Sequence, residues 1–234
     1  MLFRSVTDRD GKVQELQAKN IIVATGATSA SIPGVVVDGE KIVSYHEAIL
    51  QEKRPESVVI IGAGAIGMEF ATVWSGYGSQ VTIVEMLPRV LPLEDEEVST
   101  ELAKAFKKRG VQILTGHKVQ SVQATETGVK VVVSADGQET ALEADQALMA
   151  IGFKPNSLNL GLEEVGVELT ERKFIKINEK MQTSVPNIYA IGDVTGQLLL
   201  AHVASAMGIV AAEVIAGVET VTLDYRMMPR ATYC

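Results

Sequence analysis

Cysteine is almost missing from this chain. One occurs in 234 residues, and it is the last, Cys234. A disulfide framework, a CxxC redox motif and a thiolate zinc site are excluded within these residues. No metal site is expected, and the expected compartment is a reducing cytoplasm. Positive charge is short as well: 21 Lys and Arg against 29 Asp and Glu leave a net charge of -8. Nucleic acid and anionic membrane both need a basic face, so neither is expected as a partner. No apolar run approaches the roughly 20 residues of a membrane span, and the opening residues do not read as a signal peptide. What remains is ordinary for a globular protein: 47% hydrophobic, 21% charged and 20 glycines, enough for one or two domains with real cores.

Several of those glycines punctuate a βα alternation. Val6 to Leu16 reads as a β-hairpin around Asp10-Gly11. Short buried strands are predicted at Ile21–Ala24, Val58–Ile61, Val81–Val84 and Val111–Leu114. Ala65 to Tyr77 reads as a helix closing at Gly78. Leu93 to Arg109 reads as another, with acids in its first turn, Lys107, Lys108 and Arg109 in its last, and Gly110 as its stop. From Lys118 to Ile151 the period changes to two, as in an antiparallel meander turning at Ala135-Asp-Gly-Gln138. A second α/β piece follows: strand Ile188–Ile191, then Gly192-Asp193, then an apolar helix from about Leu200 to Ile215. Both ends look cut. Met1-Leu-Phe-Arg-Ser5 leads straight into the hairpin, and Met228 to Cys234 is extended and strand-prone, so a piece of a longer protein is expected.

The chemistry centres on residues 58–70, VVIIGAGAIGMEF. A strand running into Gly62-Ala63-Gly64-Ala65-Ile66-Gly67 and then a helix is the context a dinucleotide fingerprint requires. Gly62 serves the tight turn, Gly64 the approach of backbone N–H groups to pyrophosphate, and Gly67 the packing of helix on strand. The helix N-terminus faces the phosphates with its partial positive charge. About 20 residues on, as the fingerprint expects, the second strand ends at Glu85. Its carboxylate can accept the ribose hydroxyls and repels a 2′-phosphate, so NAD is preferred over NADP. The plainer reading is a glycine turn that merely lets a helix pack closely.

Two further motifs bracket this loop: Ala24-Thr25-Gly26 upstream and Ile191-Gly-Asp193-Val194 downstream. With Ile22 to Ala27, Pro33-Gly34, Val84-Glu85, Met149 to Asn156 and Leu200-Ala-His202, the chain resembles the pyridine nucleotide-disulfide oxidoreductases, most closely the branch acting on dihydrolipoamide. The resemblance implies an α/β fold: a Rossmann-like NAD-binding domain with an inserted antiparallel β-meander, flanked by parts of a second, FAD-binding α/β domain. The implied boundaries are 1–40 for the first FAD segment, 41–155 for the NAD domain, 156–226 for the second FAD segment and 227–234 for the start of an interface domain.

By the same resemblance, NAD is held by the fingerprint residues with Met68, Glu69, Glu85, Val119 and Gly152. Glu69 lies near the nicotinamide end. FAD touches Thr25, Gly26 and Ala27. Asp193 binds an FAD hydroxyl or phosphate, and Leu199, Leu200, Ala201 and His202 lie against the flavin. The arginine usual after the glycine of Ile151-Gly152 is Phe153 here. The family's redox cysteine pair and His–Glu pair are absent from this sequence, so no catalytic residue is expected in it. The implied parent is a homodimer within a 2-oxo acid dehydrogenase complex. An NADH oxidase-like or mercuric reductase-like flavoprotein, and a free-standing NAD(H)-binding module, remain open beside it.

Overall fold

The computed structural model describes residues 2–234; Met1, which opens the stretch Met1 to Ser5, lies outside the described residues. In chain order the strands and helices are β1 (Leu2–Thr7), β2 (Val13–Ala18), β3 (Ile21–Val23), β4 (Ala27–Ser29), β5 (Ile42–Ser44) and α1 (Tyr45–Ala48). Then come β6 (Ser57–Ile61), α2 (Ala65–Gly76), β7 (Gln80–Glu85), α3 (Glu96–Lys108) and β8 (Gln112–Thr115). They are followed by β9 (Lys118–Ala124), β10 (Val129–Ala135), β11 (Gln138–Ala144), β12 (Gln146–Met149), β13 (Phe153–Pro155), β14 (Ile188–Ala190) and α4 (Ala201–Ala216). The chain forms two compact units, one of Ser29–Phe153 with Arg230–Cys234, the other of the residues up to Thr28 with Lys154–Pro229.

The first unit is built on a five-stranded parallel sheet in the order β5-β12-β6-β7-β8. Its central strands are apolar at successive positions because both faces are covered. Val58 and Ile60 of β6 meet Met68, Ala71 and Trp74 of α2 and Phe106 of α3. Val59 and Ile61 face the other way, toward Val122 of β9 and Val129, Val131 and Val133 of β10. The antiparallel sheet β9-β10-β11 thus fills the layer that a second pair of helices occupies in a doubly wound fold. Each of the fully buried Val, Ile, Met and Phe side chains among them contributes roughly 1.5–3 kcal/mol.

The α/β architecture and the meander match the reading from sequence, with two corrections. The meander ends at Ala144: Gln146–Met149 is buried at every position and pairs in parallel with β5 and β6. The helix expected from Leu93 starts at Glu96, because Asp95 caps it by accepting the N–H groups of Glu97 at 2.8 Å and Val98 at 3.4 Å. It stops as expected at Gly110, whose φ of 86° is left-handed.

In the second unit β1 and β2 form the expected antiparallel hairpin. β3 and β14 form a two-stranded parallel pair. Val23, Ile175, Ile188, Ala190 and Val194 make one core. α4 buries Val203, Met207, Val210 and Ala211 along one stripe and packs them beside Met181 and Tyr189 in another. Gly217, at φ 71°, terminates α4. Among the described residues no helix is long and apolar enough to cross a membrane.

Candidate dinucleotide site

In the first unit the chain runs from β6 to β7 and β8 on one side of the sheet, while β12 and β5 lie on the other. The strand order therefore reverses beside β6, and a ligand crevice opens outside the carboxyl ends of strands at such a switch point. The loop 62–67 sits there. Gly62 has φ 105°, and a Cβ on it would strike the Ala150 carbonyl at the end of β12. A Cβ on Gly67 would strike the Gly62 carbonyl and stand 3.2 Å from Ile60 Cγ2. Both glycines are required by close packing inside the protein. Gly64 differs. Its backbone is extended, φ -73° and ψ -176°, and a Cβ on it would meet nothing within 4 Å. Nothing internal calls for glycine there; the space above it is open.

The start of α2 is equally bare. Gly64, its N-cap, supplies no side chain to the first turn, which carries no acid. Among the described residues the N–H groups of Gly64 and Ala65 make no hydrogen bond. Unpaired amides and the positive end of a helix dipole suit an anion. The rest of the loop is pinned: Gly62 N–H donates to Val84 O at 2.8 Å, and Ala63 N–H to Glu85 Oε2 at 2.7 Å. The other carboxylate oxygen of Glu85 accepts Leu87 N–H at 2.8 Å. Glu85 is half-buried, and each oxygen keeps a second lone-pair direction for a hydroxyl donor.

Of the other residues expected at this site, Ala63 and Met68 are fully buried, while Ala65 is exposed and Ile66 packs at the edge of the helix-side core. Glu69, on the second turn of α2, accepts Tyr233 N–H at 3.0 Å. Val119 is partly buried against the meander-side core. Gly152, at φ 106°, accepts Ala30 N–H at 2.8 Å through its carbonyl. Phe153 meets Tyr45 edge-on at 5.8 Å, so the position after Gly152 makes an aromatic contact.

In the second unit Thr25 and Gly26 are tied to Asn156. Thr25 Oγ1–H donates to Asn156 O at 2.7 Å, Asn156 Nδ2–H to Thr25 O at 3.0 Å, and Asn156 N–H to Gly26 O at 3.0 Å. Ala27 follows as the first residue of β4. Asp193 lies in the 3-10 turn Gly192–Thr195 after β14. Its carboxylate accepts no hydrogen bond among the described residues, and burial holds its pKa above the usual carboxylate value. Leu199 and Leu200 are half-buried, Ala201 begins α4, and His202 is exposed with its Nε2 3.0 Å from Pro229 O.

Sequence reasoning overlooked several participants. Leu91 N–H donates to Ala63 O at 2.8 Å, and Ser99 Oγ–H to Leu91 O at 3.2 Å. Arg89 Nη2 donates to the carbonyls of Pro92 at 3.1 Å and Glu94 at 3.2 Å. The sequence pattern places a helix only from Leu93 onward and assigns Arg89 and Leu91 to no element, so it carries no local signal for these bonds. Trp74 of α2 is in the core, and Tyr77, which follows the helix, is exposed.

Known proteins share this sequence and this fold. The family described as pyridine nucleotide-disulphide oxidoreductase covers residues 3–208. A dihydrolipoyl dehydrogenase of Mycobacterium leprae is 56% identical over 216 residues, 92% of this chain and 46% of that protein. A dihydrolipoyl dehydrogenase of Corynebacterium glutamicum is 49% identical over 232 residues, covering 98% of this chain and 49% of its own. Among solved structures, LpdA of Mycobacterium tuberculosis superposes with a TM-score of 0.91 at 33% identity, over 98% of this chain and 49% of that one. The HOCl-induced flavoprotein disulfide reductase RclA of Escherichia coli reaches 0.79 at 26% identity, over 90% and 48%. The chain spans about half the length of the curated relatives it matches. With its fold, its glycine loop and a family match over most of its length, the chain belongs to the pyridine nucleotide-disulphide oxidoreductase family.

Proposed function

We propose that this chain is the nicotinamide-nucleotide-binding part, with portions of the FAD-binding part, of a flavoprotein disulfide oxidoreductase acting on dihydrolipoamide. The observation that carries the reading is Gly64: it has no neighbour that forbids a side chain, yet its own amide and that of Ala65 are unpaired among the described residues, at an uncapped helix start. That is what a backbone needs to lie against a pyrophosphate. The open loop, the bare helix start and the carboxylate of Glu85 fit NAD. Its phosphates would lie on Gly64, Ala65 and Ile66, and its adenosine ribose on Glu85, with Glu69, Val119 and Gly152 along the remainder.

For FAD the fit rests on Asp193, a partly desolvated carboxylate that accepts no hydrogen bond among the described residues. A hydroxyl donor from a bound flavin nucleotide would supply one, while Thr25, Gly26, Ala27 and Leu199 to His202 would form adjoining contacts. When bound, FAD supplies the two-electron exchange between a dithiol and NAD. This chain's residues bind and orient; with a single cysteine, they are assigned no part in the thiol half-reaction. In this reading residues 41–155 form the NAD domain, 1–40 and 156–226 the FAD segments, and 227–234 the start of an interface domain. The parent is a cytoplasmic homodimer serving a 2-oxo acid dehydrogenase complex.

The test is a titration of the purified chain with NADH and NADPH. Saturable binding that favours NADH, with the preference reduced in Glu85→Arg, is expected. Equal binding of both nucleotides by the parent sequence, or none, would defeat the proposal. A yellow protein that reduces a dye with NADH would show that the FAD portion is retained; a colourless one that still binds NADH would leave only the nicotinamide part.

A further inference from the structure

The carbonyl of Ala63 accepts the amide of Leu91 at 2.8 Å. That carbonyl and the N–H of Gly64 belong to one planar trans peptide, so they point in opposite directions. Drawing the carbonyl inward to Leu91 turns the Gly64 N–H away from Leu91, and among the described residues that N–H has no partner. Leu91 is itself held in an unfavourable place. Its φ is 43°, a left-handed conformation that a leucine rarely adopts, and it is only 5% exposed. Two donors fix its carbonyl: the Glu94 N–H at 2.9 Å, which closes the turn, and the hydroxyl of Ser99 at 3.2 Å. Ser99 is 1% exposed and lies in the first turn of α3, which Asp95 caps.

A buried hydroxyl on one helix thus holds a strained leucine, and the leucine sets the orientation of one peptide at the start of another helix. Strain of this kind persists only where its surroundings over-determine it, and it gathers at functional sites. We propose that Leu91 and Ser99 are positioning residues for the dinucleotide: they aim the Gly64 N–H at the pyrophosphate. This rests on the nicotinamide-nucleotide reading of the loop. Ser99 touches no ligand; it acts through Leu91, and Leu91 acts through its main chain.

The test is NADH affinity by fluorescence titration of the whole chain, compared across wild type, Ser99→Ala, Ser99→Thr and Val111→Ala. Measurements are made at a temperature where thermal melts show all four folded. Val111 is buried in the same core, and its amide is bonded to Phe106 O rather than to the loop, so it reports plain destabilisation. Ser99→Ala should weaken NADH about three- to tenfold, the range of one lost hydrogen bond. Ser99→Thr, which keeps the hydroxyl, should recover most of that, and Val111→Ala should bind as wild type. Ser99→Ala binding like wild type, or Val111→Ala weakening NADH as much, would overturn the inference and leave the nucleotide site standing. A wild-type chain that does not bind NADH would overturn both.

Discussion

Gly64 and Gly67 sit three residues apart and answer to different forces. A methyl on Gly67 would meet the Gly62 carbonyl, so Gly67→Ala should destabilise the fold by about 1–3 kcal/mol, read as a lower thermal midpoint. A methyl on Gly64 would meet nothing within 4 Å among the described residues. Gly64→Ala should leave stability within about 0.5 kcal/mol while weakening NADH tenfold or more, because the methyl stands where phosphate oxygens would approach. If Gly64→Ala melts early and binds normally, the open space above it has no ligand. Asp193 gives a prediction with a pH sign. Burial raises its folded pKa above the unfolded value, so its contribution to stability is full below the unfolded pKa and is lost as pH rises through the folded one. Once ionised, Asp193 is a partly desolvated charge that Asp193→Asn lacks. The variant should melt higher than wild type above the folded pKa, with the gap closing on acidification. Melting curves of both from about pH 4 to pH 8 check it. The glycines and Glu85 were legible in sequence because the fingerprint is local. The Ala63–Leu91 bond joins residues far apart in the chain, and a leucine at positive φ leaves no mark in composition.

At the scale of elements, α3 shows where local signals mislead. Glu94 and Asp95 look like a helical first turn, but Leu91 is left-handed and the carbonyls of Pro92 and Glu94 are held by Arg89. The helix starts only after Asp95, the residue that can satisfy its free amides. Asp95→Ala should cost about 1 kcal/mol, measured by denaturant unfolding, and should loosen the turn that presents Ser99. An unchanged midpoint would mean that the cap does not govern the start of α3. β12 was hidden for another reason. It follows three antiparallel strands with no helix between, so its parallel pairing with β5 and β6 is set by the sheet that receives it. β5 is three residues long and strand-like only because β12 is beside it. By contrast, β6, α2 and β7 carry their own patterns: an apolar run, three glycines at fixed spacing, and a second apolar run ending in an acid.

For the whole molecule, the alternation of strand and helix disclosed the α/β class, and the spaced motifs disclosed the family, since both repeat along the chain. How residues 118–149 divide between a meander and a parallel strand depends on which face of the sheet needs covering, which only the folded structure states. The account turns on one claim: the open glycine loop between β6 and α2 holds a pyrophosphate. Amide NMR of the isotope-labelled chain, recorded with and without NADH, measures this residue by residue. The account predicts that the largest shifts fall on Gly64, Ala65 and Ile66, with Glu85 and Leu87 next. NADH binding that leaves those amides in place and moves others would contradict it.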